Sequence, residues 1–164
     1  ACALPKKSKF ELIIEKATEL GVDEIIPMIT QRTEINLKGE RLNKKAIRFT
    51  TVALNASKQS NRVIVPTIHP VTDFKTILDH LTKTTTALIP SLPEKNNKLF
   101  TVLQRLKSPE AISFLIGPEG DFTPEEYALA QKQGCIPVTL GNTVLKVETA
   151  AICTLSCINL FFHK

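Results

Sequence analysis

The feature that most restricts this chain is an apolar run, Ala111 to Ile116, that stops at Gly117-Pro118-Glu119-Gly120 and is followed at once by Thr123-Pro124-Glu125-Glu126. A short apolar run bounded by turn residues reads as a buried strand. Thr123 is a good helix N-cap, Pro124 stands where a missing N–H costs nothing, and Glu126 closes a capping box back onto Thr123. The element is therefore strand, tight glycine loop, helix. In open α/β sheets ligands bind beside such loops, at the carboxyl ends of strands. Glu119 places a carboxylate at that strand mouth. The competing reading is an ordinary turn whose glycines serve geometry alone.

The rest of the chain alternates in the same way. Ser8-Lys9-Phe10-Glu11 is a second capping box, with Phe10, Ile13, Ile14, Ala17 and Leu20 as the buried stripe of the helix it starts and Gly21 as its stop. Val22 to Ile29 reads as a strand, and residues 40–57 as a helix with Leu42, Ala46, Phe49, Ala53 and Ala56 inward. Val63 to Pro66 reads as a short strand, Val71 to Leu81 as a helix, Thr86 to Ile89 as a strand and Leu99 to Leu106 as a short helix. After the central strand come a helix from Pro124 to Gln133, a strand from Ile136 to Leu140 stopped by Gly141, and a last helix from about Glu148 to Phe162. This alternation predicts an α/β fold with a mostly parallel sheet and helices on both faces. The last helix is apolar nearly all round, which predicts a second surface to bury and hence a homodimer interface.

Composition narrows the function. With 164 residues, 43% of them hydrophobic, the chain suits one compact domain with a real core. No run of 18 apolar residues occurs, so the sequence offers no membrane span and no membrane partner. The first residues, Ala1-Cys2-Ala3-Leu4-Pro5, lack both an initiator Met and a signal-peptide core, and the chain reads as a piece of a longer protein. Cys2, Cys135, Cys153 and Cys157 form no CxxC pair and read as small core hydrophobes rather than metal ligands, in a reduced, cytoplasmic setting. Neither a G-x-G-x-x-G nor a phosphate-loop signature is present. His69, His80 and His163 are scattered and read as surface or turn residues.

The net charge of +5 is concentrated. Between Arg32 and Arg62, Arg32, Lys38, Arg41, Lys44, Lys45, Arg48, Lys58 and Arg62 face only Glu34 and Glu40, an excess of six positive charges. Arg41, Lys44, Lys45 and Arg48 fall on one helical stripe, and Lys58-Gln59-Ser60-Asn61-Arg62 presents two cations and two amides. Such an excess points to an anionic partner, RNA first, with Arg32, Arg41, Lys44, Lys45, Arg48, Lys58 and Arg62 as candidate contacts. The plain alternative is a solvated helix face.

Three strand-end segments stand together: 89–91, 116–120 and 140–150. With Ala3-Leu4-Pro5-Lys6, Glu15 through Val22, Gln59-Ser60-Asn61-Arg62, Gly117-Pro118-Glu119-Gly120 and Leu140-Gly141 through Glu148-Thr149-Ala150, the sequence resembles the RsmE-type ribosomal RNA uridine-N3 methyltransferases of the SPOUT, or trefoil-knot, superfamily. It departs from their pattern at Asp121, where they usually have Gly, at Lys146-Val147, where they usually have Arg-Thr, and at Lys58, where they usually have Glu.

The resemblance implies a deep trefoil knot at the C-terminus, a dimer through the last helix, and a PUA-like RNA-binding domain preceding residues 1–164 in longer members. It implies that S-adenosylmethionine is held by Ile89, Pro90, Ile116, Gly117, Gly120, Leu140, Gly141, Val144, Leu145 and Ala150. The implied substrate is ribosomal RNA or the small ribosomal subunit. Uridine N3 is a poor nucleophile until its proton leaves, so the site needs a base or cations that stabilise the uracil anion. The candidates are Arg62 and Lys146 as cations and Glu119 or Glu148 as acceptor, against a turn-holding role for Glu119 and a helix-end role for Glu148. The alternatives are methylation of a ribose 2′-oxygen or another base, and a non-catalytic RNA-binding module.

Overall fold

The computed structural model describes residues 1–6, 9–34, 40–92, 94, 97–106 and 109–162, with the side chains of Glu40 and Arg41 outside that description. Ser8, Lys38 and His163, named above, also lie outside the described residues. The elements in chain order are β1 (Cys2–Ala3), α1 (Lys9–Glu19), β2 (Glu24–Ile25), β3 (Pro27–Ile29), α2 (Glu40–Gln59), β4 (Thr67–Ile68), β5 (Thr72–Asp73), α3 (Phe74–Thr84), β6 (Thr86–Pro90), α4 (Leu99–Arg105), β7 (Ile112–Phe114), α5 (Pro124–Lys132), β8 (Ile136–Val138) and α6 (Val147–Phe162).

Every strand pairing is parallel: β1 with β3, β3 with β5, β2 with β4, and β6 with both β7 and β8. The chain beyond β7 joins the two halves. Ala3 N–H donates to Ile116 O at 2.8 Å and Ile116 N–H donates to Ala1 O at 2.9 Å, so β1 lies beside the extension of β7. The order across this surface is β5-β3-β1-β7-β6-β8.

Alternation along β6 divides the core. Leu88 joins one apolar cluster with Phe10, Ile14, Phe49, Leu103 and Ala151, contributed by α1, α2, α4 and α6. Ala87 and Ile89 join the other, with Phe74, Leu78 and Ala130 from α3 and α5. The sheet is thus covered on both faces, as the alternation of elements predicts. On the first face the Phe10 and Phe49 rings lie 4.9 Å apart, and Asn159 Nδ2 on α6 donates to Leu20 O at 2.9 Å.

Three boundaries differ from the sequence reading, each for a local reason. The expected strand at 63–66 is not a strand: Val63 is 98% exposed, and pairing begins only at Thr67, whose N–H donates to Asp23 O at 2.9 Å. Pro66 has no N–H to offer a ladder, and Asn61, at φ 57, turns the chain before it. The expected strand 22–29 is divided between β2 and β3, which pair with different neighbours. The helix expected from Val71 starts at Phe74, because the Asp73 carboxylate accepts from Thr76 N–H at 3.0 Å as N-cap. The Thr123–Glu126 capping box forms in full, with Pro124 as the first residue of α5.

Leu88 is completely buried at the centre of β6. Replacing it by alanine leaves a cavity that neither core can close, and Leu88→Ala is expected to lower unfolding free energy by about 2–5 kcal/mol in a denaturant titration.

Candidate functional site

Parallel strands place their carboxyl ends on one edge. There β6, β7 and β8 end at Pro90-Ser91, Ile116-Gly117 and Thr139-Leu140-Gly141. The chain between β8 and α6 folds back over these ends and closes a pocket. It is a half-open cavity of about 90 Å³. Its walls are apolar, from Ile116, Leu140, Val144, Leu145, Val147 and Ala150, and its few polar groups come from Ser91, Asp121, Tyr127, Thr139 and Thr143.

Two glycines shape it. A Cβ on Gly117 would meet the Phe122 ring at 3.1 Å and Asp121 Oδ1 at 3.3 Å, so the β7 loop can approach only with no side chain there. Gly141 adopts φ +132, a region costly for other residues. Its backbone N–H donates to Thr139 Oγ1 at 3.2 Å, which donates to Gly141 O at 3.1 Å, fixing the turn.

Eight of the ten expected cofactor residues line this pocket: Pro90, Ile116, Gly117, Leu140, Gly141, Val144, Leu145 and Ala150. Two do not. Ile89 is wholly buried in the core on the opposite side of β6 from a pocket-facing position, as strand alternation requires. Gly120 turns its carbonyl away to accept Arg32 Nη1 at 2.6 Å. The residues that sequence reasoning missed include Asp121 and Tyr127. Tyr127 lies four residues after the N-cap Thr123, and helical side chains lean toward the N-terminus, so the capping box already aims it at the strand ends.

The acidic and basic candidates fall elsewhere. Glu119 Oε1 accepts the backbone N–H of Lys6 at 2.8 Å and does not line the pocket, which agrees with its turn-holding role. Arg62 is 17% exposed, and its Nη1 donates to Thr18 O at 3.0 Å and Val22 O at 2.7 Å. It closes the carboxyl end of α1 and is not among the residues lining the pocket, so within this chain it acts as an internal brace. Lys146 is exposed, between the pocket residues Leu145 and Val147. Glu148 pairs with Lys9 at 3.1 Å; its own backbone N–H at the start of α6, and then Lys9, hold its carboxyl below the usual range. Its Oε2 is buried and finds no partner among the described residues.

The basic stripe is partly used internally. Arg48 donates through Nε and Nη2 to Glu11 Oε2, at 3.1 and 2.9 Å, and so ties α2 to α1. Arg32 is held on Gly120 O. Lys44 and Lys58 are exposed and Lys45 half-buried, with no ion pair among the described residues, while the Arg41 side chain is outside the description.

Tyr127 bridges two strand ends. Its hydroxyl lies 2.9 Å from Pro90 O and 2.8 Å from Asp121 Oδ1, so one phenolic proton is shared between two acceptors. Burial, and then the Asp121 charge, push the phenol well above its ordinary value of 10.0. The neutral phenol's contribution to stability is complete below the unfolded value and is lost as pH rises through the higher folded one. Tyr127 is the chain's one tyrosine, which makes the readout clean. Ultraviolet titration of the folded protein is expected to show no phenolate band at pH 10, the band appearing only with unfolding.

Comparison with known proteins agrees with this geometry. Ribosomal RNA small subunit methyltransferase E of Mesomycoplasma hyopneumoniae is 35% identical over 152 residues, covering 93% of this chain and 64% of that protein. The protein of the same name from Bacillus subtilis is 32% identical over 163 residues, covering 97% and 64%. This chain thus spans a little under two thirds of the curated relatives it matches. A solved Ribosomal RNA small subunit methyltransferase E from Neisseria gonorrhoeae, bound to S-adenosyl methionine, superposes with a TM-score of 0.85 at 29% identity, covering 96% of this chain and 63% of that one. A candidate methyltransferase from Legionella pneumophila, in complex with the same cofactor, gives 0.89 at 28%, covering 98% and 64%. The sequence profile of the RNA methyltransferase domain matches residues 1–159, and the chain belongs to that family.

Proposed function

We propose that residues 1–164 form one S-adenosylmethionine-dependent methyltransferase domain of a SPOUT, trefoil-knotted kind, acting on N3 of a specific uridine in small-subunit ribosomal RNA in the cytoplasm. The observation that carries the reading is the convergence of the 90–92, 116–117 and 139–150 segments on one apolar pocket with glycines at its closest approaches. Adenine fits apolar walls with backbone hydrogen-bonding groups at their edges, and the open side of the cavity leaves room for the rest of a nucleoside-sized ligand. Relatives of similar sequence and fold hold S-adenosylmethionine. When bound, that cofactor supplies a methyl group on a positively charged sulfur.

The chain's own contribution is placement and charge. Lys146, exposed beside the pocket mouth, is the cation available to stabilise the uracil anion as N3 loses its proton. Glu148, one residue from the pocket wall at Val147, is the acidic group at the start of α6, with its Oε2 buried and without a partner among the described residues. Arg62 and Glu119 serve at one remove, bracing α1 and tying the 117–120 loop to Lys6. Lys44, Lys45 and Lys58, with no ion pair among the described residues, are candidate contacts for RNA phosphates. In the longer protein a PUA-like domain shares that task.

Ala150 lines the pocket, and a leucine there would fill it. Calorimetry is expected to show S-adenosylmethionine binding that Ala150→Leu weakens at least tenfold, about 1.4 kcal/mol. Nucleoside mass spectrometry of ribosomal RNA treated with the longer protein is expected to show 3-methyluridine. A 2′-O-methylated nucleoside would replace this substrate assignment, and absence of cofactor heat would leave only an RNA-binding module.

The apolar face of α6 is the proposed dimer surface. Only Val147, Ala151 and Thr154 of this helix are fully buried, Leu160 is 83% exposed, and Phe100, whose ring meets Phe161 edge-on at 5.6 Å, is 62% exposed. Sedimentation is expected to give two chains per particle, and Leu160→Glu to give one, because burying a carboxylate in an apolar contact is costly.

A further inference from the structure

We propose that Asp121 is a charge-selecting residue of the pocket, favouring a ligand with a positively charged centre over its neutral counterpart. The inference rests on the methyltransferase reading above and goes beyond it in naming the group that separates methyl donor from demethylated product.

Three observations converge on this residue. First, Asp121 is the one Asp, Glu, Lys or Arg among the described lining residues, so the lining itself carries a single negative charge within largely apolar walls. Low polarity strengthens whatever that charge meets. Arg32 lies close by, but its Nη1 is bonded to the carbonyls of Gly120 and Phe122, on either side of Asp121, at 2.6 and 3.5 Å, and no ion pair to Asp121 is described. Second, the carboxylate is held in place. Oδ1 accepts from the Phe122 backbone N–H at 2.8 Å and lies 2.8 Å from the Tyr127 hydroxyl. Tyr127 is in turn tied to Pro90 O, and the Phe122 and Tyr127 rings meet edge-on at 5.5 Å. No hydrogen bond to Oδ2 is described, and Asp121 is half-buried and lines the pocket. Third, Asp121 adopts φ 61, a left-handed conformation that glycine would take without strain. The turn itself, closed by Asp121 N–H to Pro118 O at 2.9 Å, needs no side chain at this position.

The two nucleosides that bracket methyl transfer differ at one centre. S-adenosylmethionine carries a sulfonium and S-adenosylhomocysteine a neutral thioether, while adenine, ribose and the amino-acid end are common to both. A fixed carboxylate in the pocket lining therefore raises affinity for the donor alone and eases departure of the product.

The test is calorimetric, with no turnover required. Dissociation constants are measured for S-adenosylmethionine, S-adenosylhomocysteine and an analogue carrying a protonated amine in place of the sulfonium, on the unaltered domain and on Asp121→Asn. Asparagine tolerates positive φ, and its amide oxygen can still accept from Phe122 N–H. If it nevertheless fails to fold by circular dichroism, Asp121→Gly, which relieves the strain, replaces it. The expected result is that the variant loses at least tenfold in affinity for the sulfonium and for the amine analogue, and less than twofold for the thioether. Equal losses for all three ligands, or no loss for the two cations, would overturn the proposal. Failure of the unaltered domain to bind any of the three would instead bring down the methyltransferase reading on which it rests.

Discussion

Parallel pairing is the constraint from which the rest follows. A parallel ladder cannot be closed by a tight turn, so each return must cross a face of the sheet, and here helices make the described crossings. Two results come with that geometry. Helices cover both faces, and Leu88 faces one core while Ala87 and Ile89 face the other. The carboxyl ends of β6, β7 and β8 also collect on one edge, and the segments that leave them line the pocket there.

Charge in this domain is divided between holding and reaching. Summed over Arg32 to Arg62 the excess looks like one basic surface, but the arginines and the lysines behave differently. Arg32, Arg48 and Arg62 are bonded to backbone carbonyls or to Glu11, and each joins two parts of the fold. A guanidinium suits this work because its planar fork reaches two acceptors at once, as Arg62 does with Thr18 and Val22. Lys44 and Lys58 stay exposed. A compact, hydrated ammonium on a flexible stem can follow a phosphate backbone without being fixed in one geometry. The net charge of the segment therefore overstates the surface available to an anion.

What was legible in the sequence tracks how local the cause is. The Thr123–Glu126 capping box is a four-residue affair, and it formed as read. The apolar, glycine-punctuated segments 116–117 and 140–150 announced a pocket because each needs backbone close to something else. Ile89 was misplaced by a single residue, which in a strand is the difference between pocket and core. Gly120 was misplaced because its carbonyl is claimed by Arg32, 88 positions away in sequence, and no local pattern records that. The exposed run 63–65 has strand-like composition but no neighbour to pair with, and pairing is a property of the whole sheet. Arg62 looked like a reaching cation because nothing in Gln59-Ser60-Asn61 reveals that the carboxyl end of α1 lies beside it.

Two acidic residues near these strand ends each break a local rule, as Asn61, at φ 57, and the buried Ser57 Oγ, unpartnered among the described residues, do at the end of α2. Asp121 holds a left-handed conformation that glycine would hold without strain, at a cost of roughly 1–2 kcal/mol. Glu148 leaves a buried carboxylate oxygen without a partner among the described residues, a desolvation cost of about 1–3 kcal/mol. Neither is needed by the fold: the 118–121 turn closes through backbone atoms, and α6 would start as well with a short polar cap. The Phe122 N–H and the Tyr127 hydroxyl offset part of the first cost, and Lys9 part of the second. Both departures place an acidic oxygen without a full complement of donors close to the pocket rather than elsewhere on the surface. Acidic groups held at some cost beside a pocket, with the packed sheet left intact, are what an edge that has to meet a ligand is expected to carry.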